Sequence, residues 1–283
     1  MKIGVVGAGT MGHGIAQVCA MAGHEVVLTD VDAAALERAM AHVKANLDKG
    51  VDRGKVEAAI RDRALAQLST GPLERAAADA AIVIEAVPER LPLKVSVLKA
   101  VEAVAPASCI FGTNTSSLSI AGIAQELDDP GRVIGTHFFN PVHVMKLLEV
   151  VIGASTRDAV QEQVIAFGEA IGKEVIVVKD RPGFATSRLG VCLGMEAIRM
   201  VEEGVASAEH IDKAMELGYR HPMGPLRLTD LVGLDVRLNI GRYLAKELGN
   251  PAFEPPALLV QLVEEGKLGQ KSGQGFYDWS KKA

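Results

Sequence analysis

Disulfide and metal chemistry have little to work with in this chain: its 283 residues hold three cysteines, Cys19, Cys109 and Cys192, with no CxxC spacing among them. Each sits in an apolar or helical context and reads as a reduced core residue, so neither a disulfide framework nor a metal site is expected. No apolar run reaches the roughly 20 residues of a membrane span, and no leader is read before the first strand, since Met1-Lys2 runs straight into it. A cytoplasmic location with no membrane partner is the expectation. Charge of one sign is also lacking: 30 basic against 35 acidic residues leave a net charge of −5, which argues against a general nucleic-acid surface. Internal repeats and low-complexity tracts are absent. What is present is 48% hydrophobic residues, enough to fill one large core or two smaller ones.

The most informative stretch is KIGVVGAGTMGHGIAQ at residues 2–17. An apolar β-branched run is followed at once by GxGxxG, with Gly7 for the turn, Gly9 for close backbone approach to a pyrophosphate, and Gly12 for tight packing of helix on strand. A second apolar run at residues 25–29 ends in Asp30, eighteen residues past Gly12. An acidic side chain there accepts hydrogen bonds from ribose hydroxyls and repels a 2′-phosphate, so the turn Gly7, Gly9, Thr10, Met11, Gly12 with Asp30 points to NAD rather than NADP.

Strand-like runs at residues 3–6, 26–29, 82–85, 109–112, 133–136, 147–150 and 174–178 alternate with helical segments, the pattern of a parallel sheet covered on both faces. After Pro182-Gly183 the pattern turns helical, at residues 185–203, 208–217, 234–248 and 256–265, with Ser207 as an N-cap. The expectation is a doubly wound α/β domain over residues 1–180 and an all-α domain over 181–283. Residues 32–67 are too long for one crossover helix and predict a helical hairpin broken near 50–54.

Ligands in open α/β sheets bind beyond the carboxyl ends of the strands. Two polar clusters fall there, Thr113-Asn114-Thr115-Ser116-Ser117 and His137-Phe138-Phe139-Asn140. A hydroxyl and amide loop beside a histidine suits binding of a hydroxyl or carbonyl oxygen and movement of its proton; for His137 alone, a core histidine bonded to backbone is the competing reading. Glu149 is a lone acid within an apolar strand and needs a partner if buried. His137 is one candidate and Lys146 another.

In their order along the whole chain, GAGTMGHGIAQ (7–17), TNTSSL (113–118), GTHFFNPVHVMKLLEVV (135–151), RPGF (181–184), HPMGPLRLTDLVGLD (221–235) and GQKSGQGFYDW (269–279) resemble the L-3-hydroxyacyl-CoA dehydrogenases, most closely the single-function 3-hydroxybutyryl-CoA branch. The resemblance implies a Rossmann-type NAD domain, a helical domain that forms a homodimer, and reversible oxidation of the 3-hydroxyl of a (3S)-acyl-CoA in fatty acid metabolism. It implies His137 as base, Glu149 as its carboxylate partner, Ser116 on the substrate oxygen, and Asn140 on the cofactor side. It also implies cofactor contacts by Glu89, Lys94, Asn114 and Lys271. One position departs: Ser187 stands where the family carries asparagine, so Ser187 is either a shorter substrate contact or a helix-start residue. Asn46, Lys49 and Arg53 recur on successive turns of the hairpin and offer a polar face to the CoA phosphates, or simply to water. A dehydrogenase of a free hydroxy or sugar acid would keep Asp30, His137 and Glu149 yet lack that hairpin, and a fold that has lost its chemistry is the third alternative.

Overall fold

The computed structural model describes residues 1–280. The chain divides into two compact units, Met1–Arg181 and a second beginning at Pro182.

In the first unit the order is β1 (Lys2–Val6), α1 (Thr10–Met21), β2 (Glu25–Thr29), α2 (Ala33–Asp52), α3 (Ala58–Gln67), β3 (Leu68–Thr70), α4 (Leu73–Ala77), β4 (Ile82–Glu85), α5 (Leu91–Glu102), β5 (Ile110–Thr113), α6 (Ile120–Ala124), β6 (Val133–Phe138), β7 (Leu147–Ile152), α7 (Asp158–Ala170) and β8 (Glu174–Lys179). The strands form one sheet in the order β3-β2-β1-β4-β5-β6-β7-β8, which contains the Rossmann sequence 3-2-1-4-5-6. Residues of β1, β4 and β5 such as Ile3, Val5, Val83, Ile84 and Phe111 are wholly buried, because helices cover both faces and the strands are apolar throughout. The hairpin expected over residues 32–67 is α2 and α3, parted by residues 53–57. The α/β class therefore holds, with one correction to the parallel sheet. β7 runs antiparallel to β6. Only residues 139–146 join them, fewer than the dozen or more that a parallel return requires.

The second unit holds α8 (Thr186–Glu202), α9 (Ala208–Lys213), α10 (Pro225–Val232), α11 (Leu234–Leu248) and α12 (Ala257–Glu264). Val191, Met195 and Ile198 of α8 pack with Leu226, Leu234, Leu238, Leu244 and Leu259 in its core. Ser207 caps α9, its side chain accepting from the His210 N–H. The helix expected over 208–217 ends early and passes into a π turn, Ala214–Gly218. α10 was not anticipated. Its Asp230, wholly buried, accepts hydrogen bonds from the Phe276 and Tyr277 N–H groups and from the Trp279 indole, fastening the C-terminal motif.

Candidate active site

The sharp turn after β1 depends on Gly7, whose φ of +103° is open to glycine and strained for other residues; a Cβ there would also lie 2.8 Å from the Ala86 carbonyl oxygen. At Gly12 a Cβ would overlap the Gly7 carbonyl, so α1 lies on the turn only because position 12 has no side chain. Beside Gly9 nothing lies within 4 Å of where a Cβ would be. The turn is thus closed behind and open in front, and α1 begins there with no side-chain cap on its first N–H groups. That arrangement receives an anion. Asp30 closes one side of the turn: one carboxylate oxygen accepts from the Ala8 N–H at 2.6 Å, the other from the Asp32 N–H at 2.9 Å. Gly7, Gly9, Thr10, Met11 and Asp30 line a cavity of about 810 Å³ that extends to Asn114, Ser116 and His137. Its volume and backbone cradle fit a dinucleotide.

At the far end of that cavity, β6 and β7 place His137 directly opposite Glu149 in the ladder. Paired residues of an antiparallel ladder project to the same face. The His137 Nδ1 meets Glu149 Oε2 at 2.6 Å, with Glu149 wholly buried and His137 7% exposed. The Phe139 ring lies 4.3 Å from the imidazole, centroid to centroid. Lys146, the other candidate partner for Glu149, instead faces Glu174 at 4.0 Å on the surface. With Nδ1 committed to the carboxylate, proton exchange with a substrate falls to Nε2. Asn114 adds a brace, its side-chain oxygen accepting the Phe138 N–H at 2.9 Å.

The loop bearing Ser116 is organised by Glu89. One Glu89 oxygen accepts from the Thr115 hydroxyl at 2.6 Å and from the Ser116 and Ser117 N–H groups at 2.9 and 3.2 Å. Burial works to raise its pKa, but the nearby Lys94 charge, the Thr115 hydroxyl and the Ser116 N–H outweigh it, and the net shift is downward. Lys94, expected at the cofactor, is instead wholly buried and absent from the cavity lining. Its ammonium donates to Glu85 at 2.8 Å and to the Val87 carbonyl at 3.2 Å, and faces Glu89 at 3.3 Å. Glu85, also wholly buried, takes a further hydrogen bond from Thr113 at 2.8 Å; burial still pushes its pKa upward. A buried ammonium needs such company, and this relay was missed in the sequence.

The remaining expected residues lie elsewhere. Asn140 is exposed and absent from the cavity lining. Asn46 donates to Gln17 at 3.4 Å, while Lys49 and Arg53 are exposed at the end of α2. Ser187 and Lys271 belong to the second unit, Ser187 in the first turn of α8 and Lys271 bonded to Asp235 at 2.7 Å. Among the described residues no cluster of His, Cys, Asp and Glu is arranged to hold a metal, and no helix is long and apolar enough to cross a membrane.

Comparison with known proteins completes the picture. Residues 2–181 match the NAD-binding domain of 3-hydroxyacyl-CoA dehydrogenase, and residues 183–279 its C-terminal domain. A probable 3-hydroxybutyryl-CoA dehydrogenase of Bacillus subtilis is 42% identical over 281 residues, covering 99% of this chain and 98% of that one. Among solved structures, the (S)-3-hydroxybutyryl-CoA dehydrogenase of Ralstonia eutropha superposes with a TM-score of 0.95 at 40% identity, covering 99% of each chain. FadB2 of Mycobacterium tuberculosis gives a TM-score of 0.95 at 41% identity over 98% of each.

Proposed function

Because the chain belongs to the 3-hydroxyacyl-CoA dehydrogenase family, we propose that it interconverts the 3-hydroxyl of a (3S)-3-hydroxyacyl-CoA and the 3-oxo group, with 3-hydroxybutyryl-CoA among its substrates. It is an NAD-dependent dehydrogenase. The observation that carries the reading is the His137–Glu149 pair at 2.6 Å, whose imidazole lines the cavity that begins at the glycine turn while the carboxylate is buried behind it.

NAD, when bound, supplies the hydride acceptor. The turn at Gly7–Gly12 and Asp30 would hold its phosphates and adenosine ribose, and Asn114, in the same cavity lining, would lie toward its nicotinamide end. His137 Nε2 takes the proton of the 3-hydroxyl, and the buried Glu149 carboxylate stabilises the imidazolium that results. In the opposite direction the same imidazolium returns the proton. The Ser116 hydroxyl, in a loop pinned by Glu89, donates to the 3-oxygen and fixes the carbon at which bonds change. Ser187 supplies a second, shorter contact to the acyl thioester, and Asn46, Lys49 and Arg53 face the CoA phosphates. The helical unit carries the homodimer contact: Leu189 is 72% exposed, and Leu228, Leu231, Val232 and Val236 are exposed on α10 and α11. The cytoplasm is the proposed location.

The deciding experiment is reduction of acetoacetyl-CoA by NADH with the wild type and His137→Gln. Turnover by the wild type and a loss on the order of 10²–10⁴-fold in the variant are expected. An inactive wild type, or a variant of near-normal kcat, would sink the reading.

A further inference from the structure

A charged side chain in the second unit has no ion-pair partner among the described residues. Arg237, on α11, is only 5% exposed, and its Nε has no hydrogen-bond acceptor. Burial alone pulls its pKa down to about 10, with no neighbouring charge to offset it. The acids nearest in sequence are spent elsewhere: Asp230 on the Phe276 and Tyr277 amides and the Trp279 indole, Asp235 on Lys271. A largely buried guanidinium without a counter-charge is unfavourable in a resting fold. Its burial makes sense where an anion completes the site.

The room for that anion is visible. The guanidinium rests against two glycines of α8: a Cβ at Gly194 would lie 3.5 Å from its Cζ and Nε, and one at Gly190 would lie 3.6 Å from Nη1 and meet nothing else within 4 Å. Gly190 is only half-buried, so the space beside Nη1 is open. Ser187, Gly190 and Gly194 are spaced i, i+3 and i+7 and share one face of α8. From Ser187 to Gly190 the helix rises about 4.5 Å, the length of a few methylene groups.

We propose that Arg237 and the gap at Gly190 form a seat for a carboxylate at the far end of the acyl chain, so that the preferred substrates are 3-hydroxyacyl-CoA thioesters of dicarboxylic acids. The assignment rests on the reaction and on the Ser187 contact proposed above. An acyl chain leaving Ser187 along this face of α8 reaches Nη1 after a few methylenes, and the planar guanidinium suits a carboxylate better than a point charge would. A neutral chain of the same length leaves the cation buried and unpaired. Discrimination follows from that penalty as well as from the new hydrogen bonds.

The experiment compares 3-oxoadipyl-CoA with 3-oxohexanoyl-CoA, equal in carbon count and differing at the chain end, both reduced with NADH. The wild type is expected to favour the carboxylate-ended chain in kcat/KM on the order of tenfold or more. Arg237→Met and Gly190→Leu, the second leaving the charge in place and filling the seat, should each bring that ratio close to one. A second readout is independent of turnover: 3-oxoadipyl-CoA should raise the melting temperature of the wild type more than 3-oxohexanoyl-CoA does, and Arg237→Met should abolish the difference. Arg237→Met should itself melt no lower than the wild type, since it removes an unpaired buried charge. Equal kcat/KM for the two chains in the wild type would overturn the assignment. So would conversion of a wild-type dimer to monomer by Arg237→Met, which would make an acid of a second subunit the partner. Failure of the wild type to reduce either thioester would instead remove the reaction, while the melting comparison would still decide whether Arg237 binds a carboxylate.

Discussion

Replacing Glu149 with glutamine keeps the shape of the side chain and removes its charge. The ladder that sets His137 opposite Glu149 is main-chain and stays in place, so the amide occupies the position of the carboxylate. No solvent reaches position 149, and the contact is 2.6 Å, so water cannot substitute for the missing charge. A hydrogen bond to a charged group contributes about 1.5–3 kcal/mol. At about 1.36 kcal/mol per tenfold in rate, kcat should fall about 10- to 150-fold. The loss belongs to the step in which His137 becomes an imidazolium, so KM for acetoacetyl-CoA should move little. Initial rates at saturating NADH give both constants, and a fluorescence titration of NADH checks that cofactor binding persists. If a folded Glu149→Gln retains kcat within about threefold of the wild type, Glu149 is a core acid that merely happens to touch the imidazole, and the assigned mechanism fails.

Further outcomes follow from the same geometry. Asp30→Ala should narrow a wild-type preference for NADH over NADPH that is itself on the order of tenfold or more in kcat/KM, and equal use of the two cofactors by the wild type would remove Asp30 from cofactor selection. Lys94→Met leaves the Glu85 carboxylate buried and unpaired and should lower unfolding stability by about 3–5 kcal/mol in urea; the double variant with Glu85→Gln should recover part of it, and an absence of recovery would show that the pair is not coupled. Glu89 has a folded-state pKa below its ordinary value of 4.5, so its contribution is fully present above that value and disappears as pH falls through the lower folded-state pKa. Amide exchange at residues 115–117 should therefore quicken, relative to the rest of the sheet, only on acidification below about pH 4.5, and unchanged relative protection there would argue that the hydroxyls alone hold the loop. Light scattering at micromolar concentration should return a dimer mass, against which a monomer would count.

The parts of the fold and site that could be read in advance share a cause. Gly7, Gly9, Gly12 and Asp30 are tied by a spacing that the βαβ geometry imposes, and Glu149 announced itself as an acid in an apolar strand, for which His137 proved the partner at 2.6 Å. What escaped depends on contacts distant in sequence or on direction. Apolar periodicity carries no strand direction, so β7 gave no sign of its reversal except the short link at residues 139–146. β3 has three residues, too few to show a pattern. Lys94 reads as an ordinary helix lysine, and only the fold brings it onto Glu85 and Glu89. Arg237 likewise sits on a helix with many polar positions, and its guanidinium packs against two glycines more than forty residues earlier on α8. α10 begins in a segment dense with proline and glycine, which obscures a helix of eight residues.

The reversed β7 bears on how such an enzyme can vary over time. Because His137 and Glu149 face each other across neighbouring strands, their separation is a property of sheet spacing and owes nothing to the length of the connection between them. The link can therefore vary in length without altering that separation, although Phe139, whose ring lies 4.3 Å from the imidazole, and Val142 and Met145, whose carbonyls accept from Lys173, are held in place. The strands themselves have no such liberty. Deleting a single residue from β7 before Glu149 would turn the carboxylate to the opposite face of the sheet. The lineage of this chain is thus free to insert residues in the link, while loss of chemistry lies one codon away in the adjoining strand.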